Sequence, residues 1–335
     1  MDLSTNYMRL ALRNPLVASP SPLSYSLDGI KRLADGGVGA IVMFSLFEEQ
    51  LREQAARSIR LVEETAESFP EALDYFPSVV EEDGGPRSYL VLLERAVASV
   101  DIPVIASLNG VTPEGWTDYA RALQDAGAAA IELNIYYLPD VAMSGREVER
   151  RHIDVLERVR AAVTVPVAVK LGPFFSSPGE MALRLDEAGA DALVLFNRFL
   201  QPDIDPEQLV VLPRVNLSSP VVARAARTWI ALLRGKVRAS LAATSGVEVS
   251  ADVARYLLAG ADVVMSTSAL LRHGPGYAAE LLDGLTAWMS RKGFDDLARV
   301  RGLLAVPAET DAAAYERAGY VSAMRAANAG AYNPW

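Results

Sequence analysis

Lys170, in "VPVAVKLGPFF", stands near the end of an apolar run, where an ammonium needs either a ligand anion or an acid. Two asparagines hold similar positions: Asn134 closes "AAAIELN" and Asn197 closes "DALVLFN". Further along, "ATSGVEVSADVARYL" and "MSTSALLRHGPG" place small and hydroxyl-bearing residues after apolar runs, each leading toward a helical stretch. Backbone N–H groups in such turns, together with a helix N-terminus, form a cradle for phosphate. Neutral hydrogen bonders dominate these places and carboxylates are few, which describes a pocket for a large polar anion rather than a carboxylate-bound metal. A fixed cation at Lys170 would hold a substrate anion or stabilise a negatively charged reduced cofactor. The other readings are a lysine paired with a neighbouring acid and, for the two hydroxyl segments, plain tight turns.

Composition removes several classes of chemistry. The 335 residues contain no cysteine, which excludes disulfides, thiolate catalysis and iron–sulfur clusters held by this chain. With only His152 and His273, a multi-histidine metal site is not expected. His152 lies in the charged stretch "EVERRHIDVLERV" and reads as a surface residue; His273 reads as a loop or capping residue. A formal net charge of −10 argues against nucleic acid as a partner, since phosphate binding needs a basic face. No stretch approaches the ~20 apolar residues of a membrane span, and the first residues lack the pattern of a secretory signal. A cytoplasmic protein acting on a small molecule is the expectation.

These residues need a scaffold, and the sequence repeats one phrase that supplies it. "ADGGVGAIVMFS", "DAGAAAIELNI", "EAGADALVLFN" and "LAGADVVMSTS" each join a helical approach, a glycine suited to a helix C-terminus and a short apolar run. Near-continuous apolar strands preceded by helices belong to a parallel sheet covered on both faces. Four further runs, Pro15–Ser19, Pro103–Leu108, Pro166–Leu171 and Ser240–Gly246, bring the strands to eight. Eight strand–helix units over about 250 residues predict a (β/α)8 TIM barrel; an open doubly wound sheet is the alternative. One domain spans 1–335, with a barrel core over about 13–292 and a C-terminal helical extension over 293–335. Long insertions follow Ser45 and Asn197, and Tyr75 and Phe76 in the first are placed to cover a ligand. The tail "YNPW" packs either on the barrel or on a second copy in a homodimer.

In a barrel the C-terminal ends of the strands build the site. Those ends carry Ala18–Ser19, Ser45, Ser107 with Asn109, Asn134 with Tyr136, Lys170, Asn197, Ser245–Gly246 and Thr267–Ser268. Lys170 in a phosphate-binding lyase or aldolase, as a Schiff-base nucleophile, is one reading of that set.

The segments "NPLVAS", "GVGAIVMFS", "ELNI", "VAVKLGPFF", "LVLFN", "TSGVEVSADVARYLLAGADVVMSTSAL" and "RKGFDDLARVRGLL" resemble, in order, landmarks of the dihydroorotate dehydrogenase family. The resemblance implies a barrel carrying FMN and hydride transfer between flavin and a small cyclic or unsaturated substrate. It implies that Ala18, Ser19, Ser45, Asn134, Lys170, Asn197, Ser245, Gly246, Thr267 and Ser268 contact the cofactor. Asn109, Asn134, Tyr136 and Asn197 would meet substrate, and a separate protein would carry electrons onward. This sequence departs from the family at Phe44, where a lysine precedes the serine, at Ser245 and Thr267, where glycines stand, and at Tyr136–Tyr137, where a cysteine or serine base belongs. Tyr137 is then the candidate base beside Lys170. Tyrosine titrates near ~10 against ~8.5 for cysteine, so that role requires activation by a neighbour. The departures point to a relative that kept the flavin barrel and changed the substrate, or to a flavin-binding relative without catalysis.

Overall fold

The computed structural model describes residues 1–51, 53, 85–110, 116–198, 202–212 and 216–328. Eight parallel strands form a closed barrel: β1 (Leu16–Ala18), β2 (Ala40–Phe47), β3 (Val104–Asn109), β4 (Ala130–Asn134), β5 (Val167–Leu171), β6 (Ala192–Leu195), β7 (Ser240–Ala243) and β8 (Val263–Ser266). Each pairs with the next in sequence and β8 closes on β1, so the barrel, not the open sheet, is the fold. Around it lie α1 (Leu27–Asp35), α2 (Pro86–Val97), α3 (Trp116–Asp125), α4 (Gly145–Ala162), α5 (Pro178–Glu187), α6 (Ala223–Leu233) and α7 (Ser250–Ala259). The short α8 (Ser268–His273), α9 (Tyr277–Lys292) and α10 (Ala312–Asn328) follow the last strand.

The repeated phrase works as its residues suggest. Gly37, Gly127, Gly189 and Gly260 all take positive φ, between 92° and 121°, which turns the chain from a helix into the next strand. Helix starts are set by side chains: Ser144 and Glu147 form a reciprocal capping box on α4, and Ser26 caps α1. The segment after Asn197, expected as a long loop, carries an antiparallel hairpin pairing Asp203–Asp205 with Val210–Leu212. Tyr75 and Phe76 lie outside the described residues.

Strand alternation divides the core in two. Outward-facing Ile41, Val104, Leu133, Val169 and Leu193 join the helices, while Ala40, Ala130, Ala168, Ala192 and Ala242 line the barrel's interior. Even with Val17, Val42, Ile105, Val194, Val263 and Met265 beside them, these five small side chains leave room inside the barrel. An N-terminal hairpin, Thr5–Tyr7 with Leu10–Leu12, supplies the missing volume: Tyr7 and Met8 are buried among those alanines. Its turn residues Met8 and Arg9 both take positive φ, the geometry that suits a two-residue hairpin. The Met8 N–H donates to Ser240 Oγ at 3.1 Å and Arg9 pairs with Asp191 at 2.5 Å, which offsets the cost of that backbone.

Asp262 fastens this end of the barrel. Its Oδ2 accepts from the Leu241 N–H at 2.8 Å, and its Oδ1 takes Arg234 at 3.0 Å and Arg301 at 3.1 Å. Arg301 also donates to Thr5 Oγ1, which donates to the Asp262 carbonyl. Removing one member leaves two guanidinium groups and an N–H without their partner, a loss of about 3 kcal/mol. Asp262→Ala is therefore expected to lower the unfolding free energy by about 3 kcal/mol in urea titrations, and a loss below about 0.5 kcal/mol would show the network to be dispensable.

Candidate functional site

Register places the polar strand ends in layers. Asn109, Asn134 and Lys170 are successive partners across β3, β4 and β5, while Ser45, Ser107 and Glu132 form the layer beneath. Alternation points all six toward the interior, because Ala130 and Ala168, two residues before them on β4 and β5, face inward. Asn197 follows β6, and its Nδ2 donates to Asn134 Oδ1 at 2.8 Å. Asn197 Oδ1 in turn accepts from the Arg198 N–H at 2.9 Å. The two amides fix each other's orientation, and Asn134 keeps its own N–H pair for a ligand.

Lys170 has the partner that the alternative reading of the sequence supplied. Its Nζ donates to Glu132 Oε1 at 3.3 Å, and both side chains are nearly withdrawn from solvent. Lys170 nonetheless lines the cavity at the barrel mouth. Glu132 is not marked out by the sequence, where "IELN" reads as ordinary strand alternation. An acid two residues before a strand-terminal asparagine, in an inward register, is the signal that would have found it.

The same cavity is lined by Ser19, Asn197, Ser245, Gly246, Thr267 and Ser268, and also by Arg198, Ser218 and Thr244. Gly246 has φ +69°, and a Cβ there would lie 2.7 Å from the Ser219 carbonyl, so the backbone must stay bare. Ser245 is left-handed as well, with φ +77°, a conformation that glycine adopts more readily. Its Oγ donates to the Phe196 carbonyl at 3.1 Å and its own carbonyl accepts from Tyr256 Oη at 2.7 Å, which holds this conformation. Ser218 Oγ accepts from the Gly246 N–H at 3.1 Å and lies 2.9 Å from Ser268 Oγ. Thr267 Oγ1 donates to the Ser19 carbonyl, joining the two ends of the barrel seam. Helix α7 begins four residues after Gly246 and α8 has only six residues, so the corner consists of turn N–H groups and hydroxyls and not of a long helix end. A bare glycine and adjoining serines fit an anionic oxygen cluster.

Several expected contacts fall elsewhere. The Ala18 side chain packs on the helix side of the sheet, because one residue of strand register separates it from inward-facing Val17. Ser45 bonds Ser107 at 2.8 Å, beneath the asparagine layer. Asn109, Asn134 and Tyr136 are not among the residues lining the cavity, though Asn134 is bonded to Asn197, which is. A register shift between Val42 and Ser45 re-aims β2, and Phe44 stacks edge-on against Tyr25 and Tyr89 at 4.6 and 4.8 Å instead of offering a charge.

Tyr137 does not receive the activation that a base requires. Its hydroxyl donates to the Val148 carbonyl on α4 at 3.3 Å, and Arg151 lies 4.9 Å over its ring. Burial pushes its pKa up, with Arg151 opposing, so the phenol is held protonated. Its neighbour His152 is not a surface residue: it is buried between Tyr137 and Phe175, and its Nδ1–H donates to the Val148 carbonyl at 2.8 Å. Burial lowers the His152 pKa from its ordinary 6.5, outweighing the hydrogen bonds to Val148 and Ile135. The cluster ties the segment after Asn134 to α4. His273 pairs with Glu248 at 3.1 Å at the end of α8, beside the corner. No group of three or more metal-ligating side chains occurs among the described residues, and no described helix is long and apolar enough to cross a membrane.

Fold and site together define a (β/α)8 barrel with a polar, cation-bearing pocket at the C-terminal ends of its strands. The family model for dihydroorotate dehydrogenase matches residues 72–289. A putative dihydroorotate dehydrogenase A (fumarate) of Aeropyrum pernix is 27 % identical over 307 residues, covering 90 % of this chain and 97 % of the relative. The catalytic subunit of dihydroorotate dehydrogenase B (NAD(+)) of Methanothermobacter thermautotrophicus is 25 % identical over 311 residues, 90 % of this chain and 98 % of the relative. The NAD-dependent dihydropyrimidine dehydrogenase subunit PreA of Escherichia coli is 27 % identical over 334 residues, 92 % of this chain and 79 % of the relative. With well over half of its length matched, this chain belongs to the dihydroorotate dehydrogenase family.

A neutral, buried His152 has a consequence for acid stability. The unfolded chain binds its proton near pH 6.5 and the folded chain only below that, so folding weakens as pH falls below 6.5. His152→Gln, which keeps a donor for Val148, is expected to flatten the fall of the urea midpoint below pH 6.5. Parallel midpoint curves for the two proteins would show that His152 protonates freely in the fold.

Proposed function

We propose that this chain is an FMN-dependent oxidoreductase acting on a CH–CH bond of a small cyclic or unsaturated substrate. The observation that carries this reading is the continuous cavity wall from the hydroxyl corner at Ser218, Ser245–Gly246 and Thr267–Ser268 to Lys170 and Asn197. Such a wall suits a ligand with a phosphate at one end and a polar, charge-accepting ring at the other. Bound FMN would supply two-electron chemistry that no side chain here provides. The corner would hold its phosphate, Lys170 would offset negative charge, and Asn134 and Asn197 would orient cofactor or substrate. Family membership and relatives that are dehydrogenases support the same reading.

The substrate is a small cyclic compound other than dihydroorotate in this proposal. A base must take a proton from one carbon as hydride leaves the next. The residue at the usual position of that base, Tyr137, is turned onto Val148 with its proton retained. A lyase or aldolase using Lys170 as nucleophile is disfavoured, because an ammonium engaged with Glu132 offers no lone pair to a carbonyl. Without cysteine the chain holds no iron–sulfur cluster, so a separate electron-transfer protein or a soluble acceptor would complete the cycle. A cytoplasmic location suits this chemistry.

Titration of the purified chain with FMN tests the proposal. Flavin absorbance retained through gel filtration is expected, with affinity falling at least about tenfold in Gly246→Ala, where a Cβ meets the Ser219 carbonyl. A colourless protein that leaves added FMN free in solution would sink the reading. For any substrate that reduces the bound flavin, Tyr137→Phe is expected to keep the rate within about threefold; a loss of about a hundredfold would restore Tyr137 as the base.

A further inference from the structure

Glu132 is 1 % exposed and lies inside the barrel, one layer beneath Asn134. Its Oε1 accepts from Lys170, and its Oε2 is buried with no hydrogen-bond partner among the described residues. Tyr7 and Tyr89 are close enough to feel its charge, and burial holds both phenols protonated. Lys170 is its one salt-bridge partner among the described residues. A half-satisfied carboxylate in an apolar barrel is costly, and the polar pocket above it needs no acid for binding. The acid therefore acts on the lysine.

We propose that Glu132 is a positioning residue that sets how much positive charge Lys170 presents to the cavity, and so fixes the redox potential of FMN bound there. The inference rests on the FMN reading given above. Two opposite charges 3.3 Å apart act at a distance as a dipole, so the carboxylate cancels most of the lysine's field. Without it, a full ammonium faces a cofactor that gains negative charge on reduction, and the reduced form is favoured. Without Lys170 the reverse does not follow symmetrically. A lone buried carboxyl escapes its desolvation cost by taking up a proton, and its own field disappears.

Three variants and two measurements separate this role from a merely structural one. In Glu132→Gln, the ratio of oxidised to reduced FMN dissociation constants is expected to move toward the reduced form by on the order of tenfold, read as a more positive midpoint potential. Lys170→Gln moves the potential the other way. The double variant is expected to match Lys170→Gln, because Glu132 is already neutral in that background. Infrared difference spectroscopy needs no flavin: Lys170→Gln should show the carbonyl band of a protonated acid, absent from wild type and from the double variant. This arm stands if Glu132→Gln alone does not fold. An Glu132→Gln protein that binds FMN at the wild-type potential, or a Lys170→Gln protein with no acid band, overturns the proposal. A wild-type chain that binds no FMN fails the underlying reading as well, so the two failures are told apart.

Discussion

Lys170 and Glu132 project side by side into the barrel interior from the neighbouring strands β5 and β4, where a single charge of either sign would be costly. Their presence dictates much of what surrounds them. The interior around the pair must exclude competing charge, and it does so with a ring of alanines and with Tyr7 and Met8 from the N-terminal hairpin. The layer that holds Lys170 must be polar enough to meet a ligand yet otherwise neutral enough not to break the pair, and Asn109 and Asn134 complete it. The (β/α)8 architecture brings these needs together because alternation along a strand stacks residues i and i+2 on the inner face. Glu132 and Asn134 are such a pair.

The corner after β7 and β8 is held by a different logic. Geometry comes from backbone conformations that few residues tolerate and from hydroxyl bonds that hold them, and buried Asp252 accepts from the Glu248 and Val249 N–H groups that follow. Ser245 takes a left-handed backbone that glycine would adopt without cost, and Tyr256 and the Phe196 carbonyl secure it. The segment around Ser218 returns from the β6 insertion to close the corner. It is tied by Arg198 to the Asn216 carbonyl, by Arg272 to the Ser218 carbonyl and by Ser268 to the Ser218 N–H. A sequence that replaces glycines by serine and threonine thus keeps the turn and adds hydroxyls to it.

Much of the fold is legible in the sequence because the repeated helix–glycine–strand phrase encodes local physics: positive φ at the glycine and burial of the apolar run on both faces. The site is legible where a residue ends a strand, since strand ends have one address in a barrel. What escaped reading depends on contacts between distant segments. The N-terminal hairpin turns on Met8–Arg9, which carries neither glycine nor asparagine, and its geometry is secured by Ser240 and Asp191 far along the chain. His152 sits among charged neighbours, yet Val148, His152, Val155 and Val159 share one helical stripe, and the buried ones among them mark the inner face of α4. The Tyr-Tyr pair shows the limit of alignment by position. Tyr137 stands at the right place in the sequence, but a tyrosine is long enough to reach the helix behind the loop, and it does.

The hairpin plug also bears on the reaction proposed above. Tyr7 and Met8 are 0 % and 2 % exposed, and their side chains shut the end of the barrel opposite the site. A pocket with one mouth cannot pass electron donor in at one side and acceptor in at the other. In the proposed reaction the two would take turns at the same opening, unless one of them draws electrons through the wall. If that reaction is the one proposed above, the closed end would impose a double-displacement order, in which the first product leaves before the second reactant arrives.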